Sequence, residues 1–202
     1  MVVAIDSTGL TIYNWREWNR HKHKKSDYKW QDKWRKLHIC IDVLSGQILS
    51  SSYSDSNHHD CNELPGLIDH LDADISAVCA DMAYDTVNCR DAVRRKKAKQ
   101  VIPPKRNARL TCENRNLQKK KHILKERDQA INYIRNNKIN GSDTMARALW
   151  KEKSGYHARS LVETTMSQIK AHCSDRITNR KEENRKNQAI IKYKVVNKII
   201  IG

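Results

Sequence analysis

The sequence predicts an α/β fold in which helices flank a mixed five-stranded sheet. Two short apolar runs, Val2–Ala4 and Ala77–Ala80, are each followed closely by an aspartate. Such runs are typical of buried strands, and open α/β sheets place their functional residues at strand ends. The predicted elements follow the order strand, strand, strand, helix, strand, helix, strand, helix. A hairpin followed by right-handed parallel crossovers produces this order.

The strands are predicted from short apolar or β-branched segments bounded by turn residues, at 2–6 with an extension over 10–13, 34–43, 47–53, 76–80 and 100–102. The second and third form a hairpin around Leu44-Ser45-Gly46, and Pro103-Pro104 stops the last. The segment from the first strand to about Asp32 carries many charges with little periodicity. We therefore expect a basic loop there.

The predicted helices lie at 60–71, 86–97, 113–137, 156–172 and 186–200. The stretch at about 113–152 is helical and basic, and Gly141-Ser142-Asp143 interrupts it. A chain of 202 residues can bury a real core, and it shows no internal repeat or linker. Residues 1–202 are therefore expected to form one domain.

This succession of elements is that of a ribonuclease-H-like fold. In that arrangement the first and fourth strands lie side by side, so Asp6 and Asp81 become neighbours. The helix that bears Glu163 packs across them. We therefore expect three carboxylates to converge at one edge of the sheet.

The net charge of +16 implies a polyanionic partner. Residues 15–36 carry nine Lys or Arg against three acids, interleaved with tryptophan and tyrosine, a mixture suited to phosphates and bases. Lys119-Lys120-Lys121 and the stretch 94–109 add further positive charge. The alternative is a solvated basic surface. The side chains expected to contact nucleic acid are Lys22, Lys24, Lys25, Lys29, Trp30, Arg35, Arg94, Arg95, Lys105 and Arg106.

The sequence shows no pattern of a membrane or secreted protein. No apolar stretch approaches the ~20 residues of a membrane span, and the N-terminus lacks a signal-peptide pattern. The six cysteines include no C-x-x-C pair, which argues against a zinc site or a disulfide framework. A cytoplasmic location with reduced thiols is expected.

Near the C-terminus, Tyr156, Arg159, Glu163 and Lys170 fall on one helical stripe only about 60° wide if the segment is an α-helix. Positions on the neighbouring face, such as Val162 and Ile169, are expected to face a core, whereas Ser160 and Ser167 lie on the opposite side. The charged stripe would then follow the seam between core and solvent. A salt-bridged helix face is the simplest explanation of such a stripe.

The spacing Tyr, two residues, Arg, three residues, Glu, six residues, Lys resembles the signature of bacterial insertion-sequence DDE transposases, in the group of insertion sequences four and five. The resemblance extends over nearly the whole chain, through Ile5-Asp6-Ser7-Thr8-Gly9-Leu10, Trp34-Arg35-Lys36-Leu37-His38, Ala80-Asp81-Met82-Ala83-Tyr84-Asp85-Thr86 and Val101-Ile102-Pro103-Pro104. Two features depart from the family. Met82 stands where the family usually has Gly, and the sequence opens at the first strand, which an N-terminal helical region usually precedes in such transposases.

The resemblance implies that Asp6, Asp81 and Glu163 bind metal, while Tyr156, Arg159 and Lys170 hold DNA near the cut. Converging carboxylates repel one another, and Mg²⁺ or Mn²⁺, as two ions, would relieve the repulsion. The implied reaction is phosphodiester hydrolysis followed by strand transfer. The implied partner is double-stranded DNA with terminal repeats, bound by a possible homodimer in the bacterial nucleoid.

Several alternatives stay open at the level of sequence. Asp85 rivals Asp81 as a ligand, although its place before a helix suggests a capping residue. Trp150 is interpreted first as a core or surface residue and second as a platform for an extruded base. The chain as a whole could be a truncated, catalytically idle transposase remnant that only binds nucleic acid, or a basic binding module whose carboxylates are structural.

Overall fold

A computed structural model describes residues 1–12 and 34–201 of the chain, without the side chain of the last of these. Its centre is a mixed sheet whose strands are β1 (Val2–Ile12), β2 (Trp34–Asp42), β3 (Ile48–Asp55), β4 (Ala77–Cys79), β5 (Lys99–Val101) and β6 (Arg176–Ile177). The order across the sheet is β3-β2-β1-β4-β5, and β6 pairs with the far end of β1. The predicted α/β fold with a mixed sheet is confirmed, with β6 as an added sixth strand.

The two predicted pairing modes are both present. β1 with β2 and β2 with β3 are antiparallel, which confirms the hairpin, whereas β1 with β4 and β4 with β5 are parallel. β1 is one continuous strand, since Gly9 pairs with Lys36 instead of interrupting it. The central position of β1 explains why its apolar residues Val3, Ala4 and Ile5 are all fully buried.

The helices are α1 (Leu64–Asp69), α2 (Val87–Arg95), α3 (Lys125–Asn136), α4 (Thr144–Ser154), α5 (Ser160–Cys173) and α6 (Glu182–Ile201). Short 3₁₀ turns lie at Asp60–Asn62, Met82–Tyr84, Thr111–Glu113, Gln118–Lys120 and Tyr156–Arg159. The predicted order of elements is thus confirmed. Most helices are shorter than predicted, and only α6 is longer.

The largest difference concerns the predicted helix over 113–137, of which only α3 is α-helical. Side chains in the preceding segment bond to nearby backbone groups: Asn114 Oδ1 accepts from Asn116 N at 3.1 Å, and Glu113 Oε2 accepts from Leu110 N at 2.9 Å. Such local bonds compete with the helical ladder. The chain therefore forms short turns before α3 begins.

The core has two parts, one on each face of the sheet. On one face Val3 and Ile5 pack with residues of α1 and α2, including Leu64 and Val93. On the other face Ala4 and Leu10 pack with residues of α5 and α6, including Val162 and Val196. The alternation along β1 is that of a strand covered on both sides. It directs even-numbered residues of β1, such as Asp6, toward α5.

The basic loop expected up to about Asp32 lies almost wholly outside the described residues.

All six cysteines are free thiols, and Cys40, Cys79 and Cys89 are buried. Among the described helices, none is long and apolar enough to cross a membrane.

Candidate active site

The parallel register of β1 and β4 places two aspartates side by side. Ala4 is paired with Cys79. Asp6 and Asp81 each follow that paired row by two residues, so they lie at the same level of the two neighbouring segments. This is the juxtaposition that the sequence predicts for these two residues. Asp81 lies just beyond the end of β4, whereas the expectation that Asp6 ends its strand is wrong, because β1 continues to Ile12.

Asp6 lies in a partly closed position, with 18% of its side chain exposed. Burial is the largest influence on this carboxyl and raises its pKa above the ordinary value, while the Ser7 amide and Arg159 oppose the rise and the charges of Asp81 and Glu163 add to it. The Ser7 amide donates to Asp6 Oδ1 at 2.8 Å. Asp6 therefore lies within the electrostatic influence of both Asp81 and Glu163.

Asp81 is held by the turn that follows β4. Its Oδ1 accepts a hydrogen bond from Ala83 N at 2.8 Å and caps the 3₁₀ turn Met82–Tyr84. Met82 does not have a positive φ, and its side chain points outward with 44% exposed. The turn thus accepts a methionine at this position without backbone strain.

Glu163 is in the first turn of α5, and Arg159 joins it to Asp6. Arg159 Nη1 donates to Asp6 Oδ2 at 2.5 Å, and its Nη2 donates to Glu163 Oε1. Glu163 is more open than Asp6, with 56% of its side chain exposed. One guanidinium therefore spans two of the three predicted metal ligands.

The predicted stripe of Tyr156, Arg159, Glu163 and Lys170 on one α-helix is wrong for its first two members. Gly155 ends α4 with φ +80°, and Tyr156–Arg159 form a 3₁₀ turn before α5 begins. The apolar face of α5 is confirmed, since Val162, Thr165 and Ile169 are buried. Lys170 lies on the exposed side of the helix.

Tyr156 is surrounded by cations and a second aromatic ring. The Arg159 guanidinium lies 5.7 Å from the centroid of its ring, and Lys151 Nζ lies 5.1 Å from it. The Trp150 ring is 6.4 Å away, centroid to centroid, at 44°. Burial raises the pKa of the Tyr156 hydroxyl, so it stays protonated.

A cleft of about 260 Å³ opens beside Asp81. Its walls include the rings of Trp150 and Tyr156, and its cationic lining residues are Arg106, Arg147, Lys151 and Arg159. Asp143 and the Pro104 carbonyl hold Arg147 in place at 2.7 and 2.9 Å. Aromatic faces with cations suit a strand of nucleic acid, because bases stack and phosphates pair.

A family model described as a transposase DDE domain matches residues 1–197. The chain belongs to this transposase family. Membership implies a metal-dependent nuclease or transferase with DNA as its substrate, and the family normally uses divalent metal ions. No solved structure matches the chain with significance.

The chemistry of the site fits the divalent ion that the transposase family uses. Its candidate donors are carboxylates, hard oxygen ligands of the kind that Mg²⁺ and Mn²⁺ prefer. The guanidinium between Asp6 and Glu163 also shows that the site attracts a cation. Over residues 1–12 and 34–201, however, no three His, Cys, Asp or Glu side chains gather closely enough to hold one ion. The expected convergence of all three carboxylates is therefore incomplete in this arrangement.

The predicted DNA-contacting residues occupy different environments. Arg106 lines the cleft of this transposase domain, and Lys105 is exposed next to it. Arg94 and Arg95 are on the surface, paired with Asp91 and Asp69. Those not in the described part of the chain are Lys22, Lys24, Lys25, Lys29 and Trp30.

Arg35 differs from the expectation for a DNA contact. Its Nε lies 2.9 Å from Glu182 Oε1 and 3.1 Å from Asp55 Oδ1, and only 11% of its side chain is exposed. These ion pairs tie β2 to the start of α6 and to the end of β3. The guanidinium is thus engaged within the protein.

The structure separates Asp85 from Asp81. The side chain of Asp85 is 1% exposed, and its Oδ1 accepts from Arg90 Nε at 2.8 Å and from Arg127 Nε at 3.2 Å. The expectation that it caps the next helix is wrong, because Thr86 caps α2 by accepting from Cys89 N. Asp85 therefore belongs to a buried ion cluster.

The sequence predicts no role for Tyr84, which lies in the core on the α1 and α2 side of the sheet. It is 1% exposed, and among the described residues its hydroxyl has no hydrogen-bond partner. Burial and the nearby charges of Asp6, Asp60 and Asp81 raise its pKa. The sequence signal that could have drawn attention to Tyr84 is its aromatic hydroxyl, three residues after Asp81.

Proposed function

We propose that this protein cleaves and joins DNA at insertion-sequence ends and belongs to the group of insertion sequences four and five. In this proposal Asp6, Asp81 and Glu163 hold two ions of Mg²⁺ or Mn²⁺. The support for the group is the spacing of Tyr156, Arg159, Glu163 and Lys170. The family model supports the broader class of transposase.

The observation that carries the catalytic assignment is the contact of Arg159 with both Asp6 and Glu163. Asp6 is 153 residues from Arg159 in sequence, and Glu163 is four residues from it. Asp81 leaves the neighbouring strand at the level of Asp6. Arg159 therefore links acidic residues of β1 and α5, and the same arginine lines one cleft with Asp81.

Each side chain of the site has a task in this proposal. Bound divalent ions would polarise the attacking water or 3′-hydroxyl and stabilise the leaving oxygen. Arg159 and Lys170 bind phosphates next to the cut, since guanidinium and ammonium groups make charge-assisted bonds to phosphate. Tyr156 offers its ring to the same strand, and Asp81 faces the cleft where that strand enters.

The remaining parts of the proposal concern the whole chain. Residues 1–202 act as one catalytic domain, with α3 and α4 inserted between Asp81 and Glu163. The substrate is double-stranded DNA carrying terminal repeats, bound by a homodimer. The net charge of +16 supports a nucleic-acid partner.

A nicking assay on a short duplex with Mg²⁺ or Mn²⁺ tests the assignment. Asp6→Asn, Asp81→Asn and Glu163→Gln should each abolish metal-dependent nicking, because each removes a charged ligand. Asp72→Asn is the matched control, since this exposed aspartate precedes β4 and lies at the opposite end of that strand from Asp81. Its nicking rate should equal that of the wild type.

Metal binding gives an independent measurement. Added Mn²⁺ should raise the melting temperature of the wild type by mass action. Asp6→Asn combined with Glu163→Gln should remove that rise. If the rise persisted, the metal would bind elsewhere; DNA binding without any nicking would instead favour the idle remnant.

A further inference from the structure

Arg159 contacts two carboxylates at once and also lines the cleft with the same guanidinium. Its Nη1 bonds to Asp6, and its Nη2 bonds to Glu163. These are two of the three carboxylates to which the proposed function assigns the metal. The same side chain lines the cleft with Arg106 and Lys151, where the DNA strand is proposed to lie.

The hold of the carboxylates on Arg159 is incomplete. The third donor, Nε, is buried and has no hydrogen-bond partner among the described residues. A buried donor without a partner carries a desolvation cost, which disfavours this position of the side chain. The ring of Tyr156 lies 5.7 Å from the guanidinium and also lines the cleft. The side chain can therefore turn toward the cleft and keep its aromatic neighbour.

We propose that Arg159 couples DNA binding to metal binding. Without DNA, its guanidinium is the internal cation of Asp6 and Glu163 and competes with the divalent ion for their oxygens. A DNA phosphate in the cleft draws the guanidinium away and frees both carboxylates for the metal. This inference rests on the proposed function, since it takes Asp6 and Glu163 as metal ligands.

The thermodynamic consequence is reciprocal. If DNA raises the affinity for the metal by some factor, the metal raises the affinity for DNA by the same factor. Metal binding before DNA binding is thereby disfavoured. Arg159 thus acts as a positioning residue that makes the complete site depend on the substrate.

Mn²⁺ titration without DNA, followed by the electron paramagnetic resonance signal of free Mn²⁺, tests the competition. Arg159→Gln should bind Mn²⁺ about tenfold more tightly than the wild type, within the usual range of coupling between sites. Arg106→Gln is the matched control, because it removes one positive charge from the same cleft. Its affinity for Mn²⁺ should change by less than about twofold, since a screened charge without direct contact acts weakly.

The second arm measures coupling. Fluorescence anisotropy of a labelled short duplex gives DNA affinity with and without Mn²⁺, and the resonance titration is repeated with the duplex present. In the wild type the two coupling factors should agree and exceed one; in Arg159→Gln both should fall to about one. The duplex itself binds some Mn²⁺. The same titration with Asp6→Asn measures this background, which is then subtracted.

The outcomes are distinguishable. Unchanged or weaker Mn²⁺ binding by Arg159→Gln, or coupling that persists in it, would overturn the competition while leaving the metal site intact. Unchanged Mn²⁺ binding by Asp6→Asn and Glu163→Gln would overturn the proposed function together with this inference. Arg159→Lys is a second variant in case the first folds poorly. One ammonium cannot span both carboxylates as the guanidinium does, so Mn²⁺ affinity should again rise above that of the wild type.

Discussion

Two aspartates four residues apart have opposite environments in this protein. Asp81 caps a short turn and borders the cleft, whereas Asp85 is buried between the guanidinium groups of Arg90 and Arg127. The amide of Lys105 also donates to Asp85 Oδ2 at 2.8 Å. A buried carboxylate with three such donors is satisfied within the protein. Asp85 is therefore engaged within the fold, apart from the proposed metal site.

Replacing Asp85 by Asn should destabilise the protein by about 3 to 5 kcal/mol, because the buried Arg90 guanidinium would lose its counter-charge and Arg127 would keep only the more distant Asp128. Urea denaturation measures the loss. Asp91→Asn, which removes the exposed pair with Arg94, should cost no more than about 1 kcal/mol. The folded Asp85→Asn protein should still bind Mn²⁺. Loss of that binding in the folded state would make Asp85 a ligand after all.

At the scale of elements, the signature segment depends on the junction between α4 and α5. Gly155 adopts a left-handed conformation with φ +80°, and the chain then makes one 3₁₀ turn before α5 starts at Ser160. This turn places Arg159 on the side of Asp6. A continuous α-helix through the segment would direct the same residues differently.

Gly155→Ala tests the importance of this junction. A side chain disfavours the left-handed region, so the substitution should cost about 1 to 2 kcal/mol although an added Cβ meets nothing within 4 Å. Gly141→Ala is a matched control with φ +78° and equally open space. Both variants should lose similar stability in urea, but only Gly155→Ala should slow nicking. Equal nicking rates in the two variants would show that the junction does not position Arg159.

The sheet and the pair of aspartates follow from local signals that the sequence contains. The apolar runs before Asp6 and Asp81 define buried parallel segments, and their register places the two following aspartates at the same level, although Asp6 lies within β1 and only Asp81 follows a strand end. The bridge by Arg159 joins residues 153 positions apart. It depends on the 3₁₀ turn after Gly155, which the regular spacing of the signature conceals.

Other differences have similar physical reasons. The two-residue strand β6 is too short to show periodicity and exists because the long β1 offers it a partner at Thr11 and Ile12. The predicted helix at 113–137 is not α-helical before Lys125, because the side chains of Asn114 and Glu113 bond to nearby backbone groups. Long-range pairing and local polar competition were thus the two effects that pattern reasoning missed.

At the scale of the whole molecule, the distribution of charge matters as much as its total. The formal net charge is +16. Many of the described arginines are paired within the protein, as Arg35, Arg90 and Arg135 are. Groups paired in this way add less to a DNA contact, because the phosphate must replace an existing counter-charge, as we propose that it does for Arg159. The affinity for DNA should therefore depend on particular cations more than on net charge.

Salt dependence of duplex binding tests this distinction. Replacing Lys22, Lys24, Lys25 and Lys29 by Ala should reduce the slope of log affinity against log salt by up to about 3.6, which corresponds to about 0.9 for each lost phosphate contact. The control replaces Lys181, Lys186, Lys194 and Lys198, exposed lysines in or just before α6, and removes the same four charges. Anisotropy titrations at several salt concentrations give both slopes. If the two variants lowered the slope equally, the overall field of the protein would govern binding. A loss confined to the first variant would identify the aromatic basic segment at 15–36 as part of the DNA path.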